Sequence, residues 1–482
     1  MRRLIPLLLF VSLLAGLGAQ SNLVLSGVNE ASFTYRTVPD SLNAYFRNAF
    51  SFGLGYRNFS FGMKFVAELP KYSTSQSELL DDLVSDRLDL GWRELYASYT
   101  KGAYLIHAGT IEESFGSGMT FRSFEDLEFD ADNRVTGFKF GYDDLLRIKA
   151  LYSGIASISN PDKLDLAYGL DAEYPVLSIL SLGATALAQR NLTAFGNYSQ
   201  SDVFGGRAKF QTGAFEASVE YARRELYRRG MDLPGISGSG LYGTLSLNFG
   251  AVTAGGAYKR YDQFQYRLQD LPLANHHNET LADNQGSGTD EEGFQGWAYI
   301  ALPAGFNLNL DYAEAWNDAQ DMRMNDAYAG LEYTGGSIAA AMSWNHIEKV
   351  DDALSKWQKE YYPAFNLSFP AWGRNLVLSG EFKTIEKQDQ ALESRHYEPK
   401  LQADIGLGKL GVSLGMQSWW HDFSSLTDSR YWTNMEIKYP ILADTELLLF
   451  AGTEAGGKVC RNGVCRYVAP FSGLRLELNT RF

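Results

Sequence analysis

The chain has 482 residues, with 57 acidic against 43 basic side chains for a formal net charge of −14, and an aromatic share of 14% that includes 28 Tyr and 29 Phe. A surface this acidic repels nucleic acid, which is excluded as a partner. After the N-terminus no stretch approaches about 18 consecutive apolar residues, so spanning helices are excluded too.

The first predicted element is a leader. Arg2 and Arg3 precede an apolar run from Leu4 to Leu14 and small residues through Ala19, the layout of a secretory signal peptide over residues 1–20, with cleavage between Gly18 and Gln20. No Cys stands directly after that point, which argues against a lipoprotein anchor. Residues 21–482 show no linker or composition break and are expected to form one domain.

From Leu23 onward apolar side chains recur at every second position. Side chains alternate faces along a strand, so this period predicts strands with one greasy and one polar face. In "LRIKALYSG" Leu146, Ile148, Ala150 and Tyr152 oppose Arg147 and Lys149. "KLDLAYGLD" aligns Leu164, Leu166, Tyr168 and Leu170, and "AFEASVEYA" sets Phe215, Ala217, Val219 and Tyr221 against Glu216, Ser218 and Glu220. "FNLNLDY" and "NLVLSGEFKT" repeat the pattern.

Two kinds of connection separate these strands. Tight turns are predicted at Arg57-Asn58, Lys101-Gly102, Asp143-Asp144, near Pro175, Thr212-Gly213, Gly250, Ala304-Gly305, Gly335-Gly336, Trp372-Gly373, Gly408-Lys409 and Ala443-Asp444. Longer polar connections such as "LPKYSTSQSELLDDLVSD" and "YRRGMDLPGISGSG" lie between them. Short turns alternating with long loops are the layout of an outer-membrane barrel, with periplasmic turns and extracellular loops. The fold class is therefore all-β: a single transmembrane antiparallel up-and-down β-barrel of about 24 strands, within a range of roughly 18 to 26.

A barrel that wide needs something in its lumen. TonB-type transporters use an N-terminal plug domain, and a first strand at about Leu23 leaves no room for one. The internal candidate is the connection from Gly116 to Arg134, with Glu125, Asp126, Glu128, Asp130 and Asp132. Such a run is most simply a solvated face. Folded inward it would form an acidic constriction that favours cations, and a third reading is Ca²⁺ held by carboxylates, although EF-hand spacing is absent.

The strand faces opposite the apolar ones give the expected lumen lining: Arg147, Lys149, Arg207, Lys209, Glu216, Glu220, Lys383, Arg475 and Glu477, with Lys259, Asp311 and Glu381. Charge of both signs suits water, small polar solutes or a protein plug. The longest loop, Arg267 to Gly293, carries His276 and His277 among acids and reads as a solvated extracellular loop before it reads as a metal trap. The other His are His107, His346, His396 and His421; only His421, Asp422 and Ser424 sit close together, and neighbours on a strand point apart, so an enzyme is not expected. Neither cofactor nor metal is implied.

In "GGKVCRNGVCRYVAPF" Asn462-Gly463 is a two-residue hairpin signal that sets Cys460 opposite Cys465. Cα atoms about 4.5–5.5 Å apart there suit a disulfide, which an exported chain permits. The chain closes with Leu474, Leu476, Leu478, Thr480 and Phe482 on one face and Arg475, Glu477, Asn479 and Arg481 on the other. A terminal aromatic on an apolar face resembles the signal read by barrel-insertion machinery.

The Cys hairpin with "YVAPFSGLRLELNTRF", together with "RELYASYTKGAYLIHAGTIEESFGSGMTFRSFEDLEFDADNRVTGFKFGYD", resembles an uncharacterised family of outer-membrane β-barrels of Gram-negative bacteria. The resemblance implies the fold and a place in the cell outer membrane, in contact with its lipid, and carries no activity. The reading is a porin-like diffusion channel for small polar solutes with cation preference. The alternative is a non-conducting receptor or scaffold barrel with a plug or surface partner protein.

Overall fold

The computed structural model describes residues 23–37, 43–69, 89–126, 131–228, 235–281, 288–422, 429–461, 464–468 and 470–482; the expected leader at 1–20 lies outside them. Twenty-four strands, from Leu23–Arg36 to Phe471–Arg481, form one sheet of antiparallel neighbours. The first strand pairs with the last, Val28 opposite Arg481 and Thr34 opposite Arg475, so the sheet closes on itself. Closure removes every free edge.

All eleven tight connections join strands at or beside the predicted turns. At Trp372-Gly373 both residues have positive φ, 50° and 72°, the left-handed pair of a type I′ turn that matches the twist of its flanking strands. The turn expected near Pro175 falls after Leu177, because Pro175 stays in the strand at a register shift; Pro440 sits at another such shift. A bulge tolerates a residue without a ladder donor.

The far-side connections are less uniform than the sequence reading had them. The strands Lys356–Ala371, Arg374–Asp389 and Leu392–Leu407 have 16 residues each, and the far-side connections next to them shrink to 352–355 and 390–391. Polar residues that read as loop are strand here, held by Lys356–Asp389 at 3.2 Å and Arg395–Glu386 at 3.2 Å. At about 3.3 Å per residue each strand runs roughly 53 Å, well past the 9–11 residues that about cross a membrane.

Two faces differ all round the barrel. Phe138, Tyr152, Phe204, Tyr221, Leu414 and Leu476 stand exposed on the outside. An apolar belt this extensive suits lipid rather than water. Their strand neighbours Lys139, Leu151, Ser153, Val203, Ala222, Ser413 and Arg475 point the other way, into the lumen.

Candidate functional site: the lumen and its inward segments

Two connections fold into the lumen. The described residues 112–126 and 131–134, between the strands Tyr104–Ile111 and Val135–Asp143, make two small pairings, Glu113–Phe115 with Phe121–Ser123 and Glu125–Asp126 with Ala131–Asp132. Residues 263–281 leave the strand Val252–Asp262. The backbones tie to each other: Arg122 N–H donates to Leu268 O at 2.9 Å and Asp270 N–H to Gly118 O at 3.1 Å. Arg122 also pairs with Asp270.

Their apolar side chains meet the inner wall. Phe115, Met119, Phe121, Phe264, Tyr266, Leu268 and Leu271 pack with Ile111, Val135, Leu151, Ala167, Leu187, Val203, Ala222 and Tyr261 in one buried cluster. Burying each large apolar side chain contributes about 1.5–3 kcal/mol, so the segments are seated by the same force that builds a soluble core. The Tyr266 hydroxyl, buried and pushed well above the ordinary phenol range, donates to Thr120 O at 2.7 Å. A smaller cluster joins Leu281 to Ala315 and Met324.

Polar ties complete the seating. Glu113 receives Lys149 at 2.8 Å and Lys139 at 3.1 Å; burial pushes its carboxyl up, but the two ammonium groups outweigh burial and hold it below the usual carboxylate range. Ser117 N–H donates to Glu220 Oε2 at 2.8 Å. Gly116 makes that approach possible: its φ is 57°, and a Cβ there would lie 2.3 Å from the Glu220 carboxylate. Arg267 reaches Asp165 at 2.6 Å.

Of the expected acidic constriction, Glu125 and Asp132 are described with their side chains and both are paired. Lys64 meets Glu125 at 2.7 Å, and Arg134, almost fully buried, gathers Glu94 at 2.7 Å, Asp132 at 2.9 Å and Glu125 at 3.3 Å. Burial pushes the Asp132 carboxyl up, but Arg134 outweighs it and draws the pKa down. Glu128 and Asp130 lie outside the described residues, as does the side chain of Asp126.

The residues expected to line the lumen have these neighbours. Arg207 is clamped by Asp171 at 3.0 Å and Glu173 at 2.9 Å, and Lys209 adds a contact to Glu173 at 3.2 Å. Arg147 touches Asp143 at 3.3 Å and Glu173 at 3.5 Å. Lys259 is fully buried with Glu291. Glu216 lies opposite Gln211, Glu381 opposite Lys400 and Glu477 opposite Leu448. Lys383 pairs with Glu360 at 2.5 Å, Gln295 donates to Asp311 at 2.9 Å, and Arg475 reaches Glu454 at 3.5 Å, its guanidinium 4.8 Å from the Phe471 ring centre.

The loop from Arg267 to Gly293 corrects the sequence reading, because its described part packs on the inner wall, with Leu268, Leu271, Asn275 and Leu281 buried, instead of lying solvated outside. The His276 ring stacks on Tyr328 with 3.9 Å between centres, and His277 bonds to Asp326 and Asn345. Among the described residues no cluster of three or more His, Cys, Asp or Glu is placed to hold a metal. His421 Nδ1 donates to Arg395 O at 3.2 Å, and Ser424 lies outside the described residues.

The segment 263–281 was missed as a lumen element, yet it carried a signal: Phe264, Tyr266, Leu268 and Leu271 are large apolar residues inside a polar loop. Cys460 and Cys465 face each other in the hairpin Gly457–Arg461 with Val464–Val468. Phe482 is hydrogen-bonded through its backbone to Gly27 in both directions, and its ring stacks on Phe50 at 5.9 Å. Leu474 and Leu476 are exposed on the same outer face.

A closed 24-stranded barrel with an apolar belt and inward loops defines the class: an outer-membrane barrel fold. The chain belongs to the family of unknown function DUF6029, which matches residues 43–285, half of its length. No curated protein matches it. Among solved structures it is similar to a chain of the E. coli P pilus tip assembly intermediate PapC-PapD-PapK-PapG, with TM-score 0.58 and 10% identity over 95% of this chain and 60% of that one. It therefore spans less than two thirds of that relative. The copper transporter OprC and the siderophore receptor PirA from Pseudomonas aeruginosa each align at TM-score 0.50 and 10% identity, over 96% of this chain and 80% of theirs. At such identity the likeness concerns the fold, and it points to the outer membrane.

Proposed function

We propose that the protein is an exported outer-membrane barrel, with residues 1–20 as its leader and 21–482 as the barrel, that acts as a porin-like diffusion channel for small polar solutes with cation preference. The observation that carries this reading is the unequal filling of the lumen. Both apolar clusters among the described residues lie on the wall from Tyr104–Ile111 to Met322–Gly335. Across from them the inner face keeps a charged pair that is partly exposed, Lys438–Glu446 at 3.1 Å, as a water-filled path requires. Cation preference follows from the net charge of −14 and from Asp126, Glu128 and Asp130, since Glu125 and Asp132 have their charge matched by Lys64 and Arg134.

One observation favours a second reading, a non-conducting barrel that binds a plug or surface partner: the inward segments are seated by a dry apolar core, which a static plug also needs. Single-channel recording of the refolded barrel in a planar bilayer separates the two. Steady cation-selective steps that shrink when Asp126, Glu128 and Asp130 are neutralised support the channel. A silent bilayer with verified insertion overturns it.

A further inference from the structure

The segment 273–281 is attached to the wall by the Glu279–Lys349 ion pair, by Leu281 packed against Ala315 and Met324, and by one doubly bonded imidazole. His277 donates its backbone N–H to Asp326 Oδ2 at 2.9 Å, while its ring places Nδ1 2.7 Å from Asp326 Oδ1 and Nε2 3.0 Å from Asn345 Oδ1. Asp326 is fully buried. The orientation of the Asn345 amide is not free: its Nδ2 donates to Tyr362 O at 2.8 Å, a carbonyl that only accepts, so Oδ1 must be the atom facing His277.

That fixes a proton count. Nε2 must carry a hydrogen to satisfy Asn345 Oδ1, and the Nδ1 contact to Asp326 needs a second hydrogen, on the imidazole or on the carboxyl. Either way the pair holds one proton more than a neutral His beside an ionised Asp. Without it, a ring lone pair confronts either a buried carboxylate or a buried amide oxygen, and an unmade buried polar contact costs about 1–3 kcal/mol.

We propose that residues 273–281 form a proton-dependent latch on the lumen wall, held shut by one proton shared between His277 and Asp326 and released when that proton is lost. The groups around it fit. His276 beside it, stacked on Tyr328, is lowered by burial and by the His277 charge. Glu279 is matched by Lys349 at 2.7 Å, Asp311 lies 3.9 Å from His276, and the Tyr362 ring packs 5.7 Å from His277. Burial pulls His277 down, but Asp326 and Asn345 outweigh it and raise its pKa. A raised value in the closed state means the latch is fully held below the ordinary histidine value of about 6.5 and weakens as pH climbs through the raised one, by up to about tenfold per pH unit between the two. Alkaline conditions open it.

The test is hydrogen exchange of the full barrel in phosphatidylcholine nanodiscs, read at pH 6 and pH 9 and corrected for the intrinsic rate. Protection over 273–281 is expected to fall about tenfold or more, while 113–123, held by the ionised Glu113, stays unchanged. With barrel folding verified by heat-modifiable migration, His277→Gln is expected to exchange fast at both pH values, whereas Asp326→Asn, whose amide supplies the missing hydrogen to Nδ1 without a titrating proton, is expected to stay protected at both. Protection that is flat with pH in the unaltered protein, or a wild-type pH response in both variants, overturns the latch. That the latch gates solute flow rests on the channel reading; a silent bilayer with a pH-dependent exchange profile would sink the channel and leave the latch standing.

Discussion

The wall from Tyr104–Ile111 to Met322–Gly335 and the wall from Arg374–Asp389 to Thr445–Glu454 present the same outside and different insides. Tyr152 and Phe204 on the first, Leu401 and Leu414 on the second, are equally exposed outward. Inward, the first wall carries Val135, Leu151, Val203 and Ala222 under two folded segments, whereas the second carries chiefly polar side chains such as Glu381, Lys400 and Lys438, with Phe450 buried at its edge. Lipid imposes one chemistry on every strand's outer face, while the inner face records what each part of the lumen holds. A barrel can thus carry an apolar core along half of its inner face and a polar lining along the other half without any change in its strands.

The largest effect should come from removing the cover. Ile111 lies directly opposite Val135, so a short Gly-Ser turn can replace residues 113–134 without disturbing either strand. The covered wall then becomes a bare one, and single-channel conductance should rise several-fold. Unchanged conductance would mean that this segment never obstructed the path, and the contrast between the walls would lose its functional meaning.

A smaller effect distinguishes charges within the two walls. Arg134→Ala leaves Glu94, Glu125 and Asp132 without their shared cation in a buried setting, and removing one member of such a group costs about 3–5 kcal/mol. Lys438→Ala removes a half-exposed partner of Glu446, worth less than about 1 kcal/mol. Thermal midpoints from heat-modifiable migration should drop clearly for the first and barely for the second; equal drops would show the bare wall to be as desolvated as the covered one. Outside, Tyr152→Arg and Leu414→Arg should each cost about 2–4 kcal/mol near the membrane midplane, alike on both walls.

The walls also differ in how far the sequence revealed them. Period-two alternation is local and is imposed by lipid, so strands, turns, closure and the outward residues Leu474 and Leu476 were legible. What enters the lumen depends on non-local contacts. Phe264 and Tyr266 announce burial by type, but nothing near them in the chain names Met119 or Tyr261 as partners. Polarity misled twice: His277 is polar yet buried because Asp326 and Asn345 receive it, and 384–398 is polar yet extended because cross-strand ions on a wall beyond the apolar belt need no loop. Asp326 and Asn345 were invisible as site residues because each is an ordinary polar residue on an inner strand face.

The smallest effect concerns the far-side hairpin. Cys460 faces Cys465 across the turn in the structure's register, and an exported chain would meet an oxidising compartment, so the purified protein is expected to resist thiol labelling until reduced. A cross-link there would close a very short loop, which limits the chain entropy it could remove to about 2 kcal/mol, and this hairpin pairs as a separate two-stranded sheet outside the barrel ladder. Local fraying therefore need not propagate into either wall. Reduction should leave the thermal midpoint of the barrel within about a degree while raising hydrogen exchange over 457–468; a large drop in the midpoint would tie the hairpin to the strands Thr445–Glu454 and Phe471–Arg481 and make it part of barrel closure.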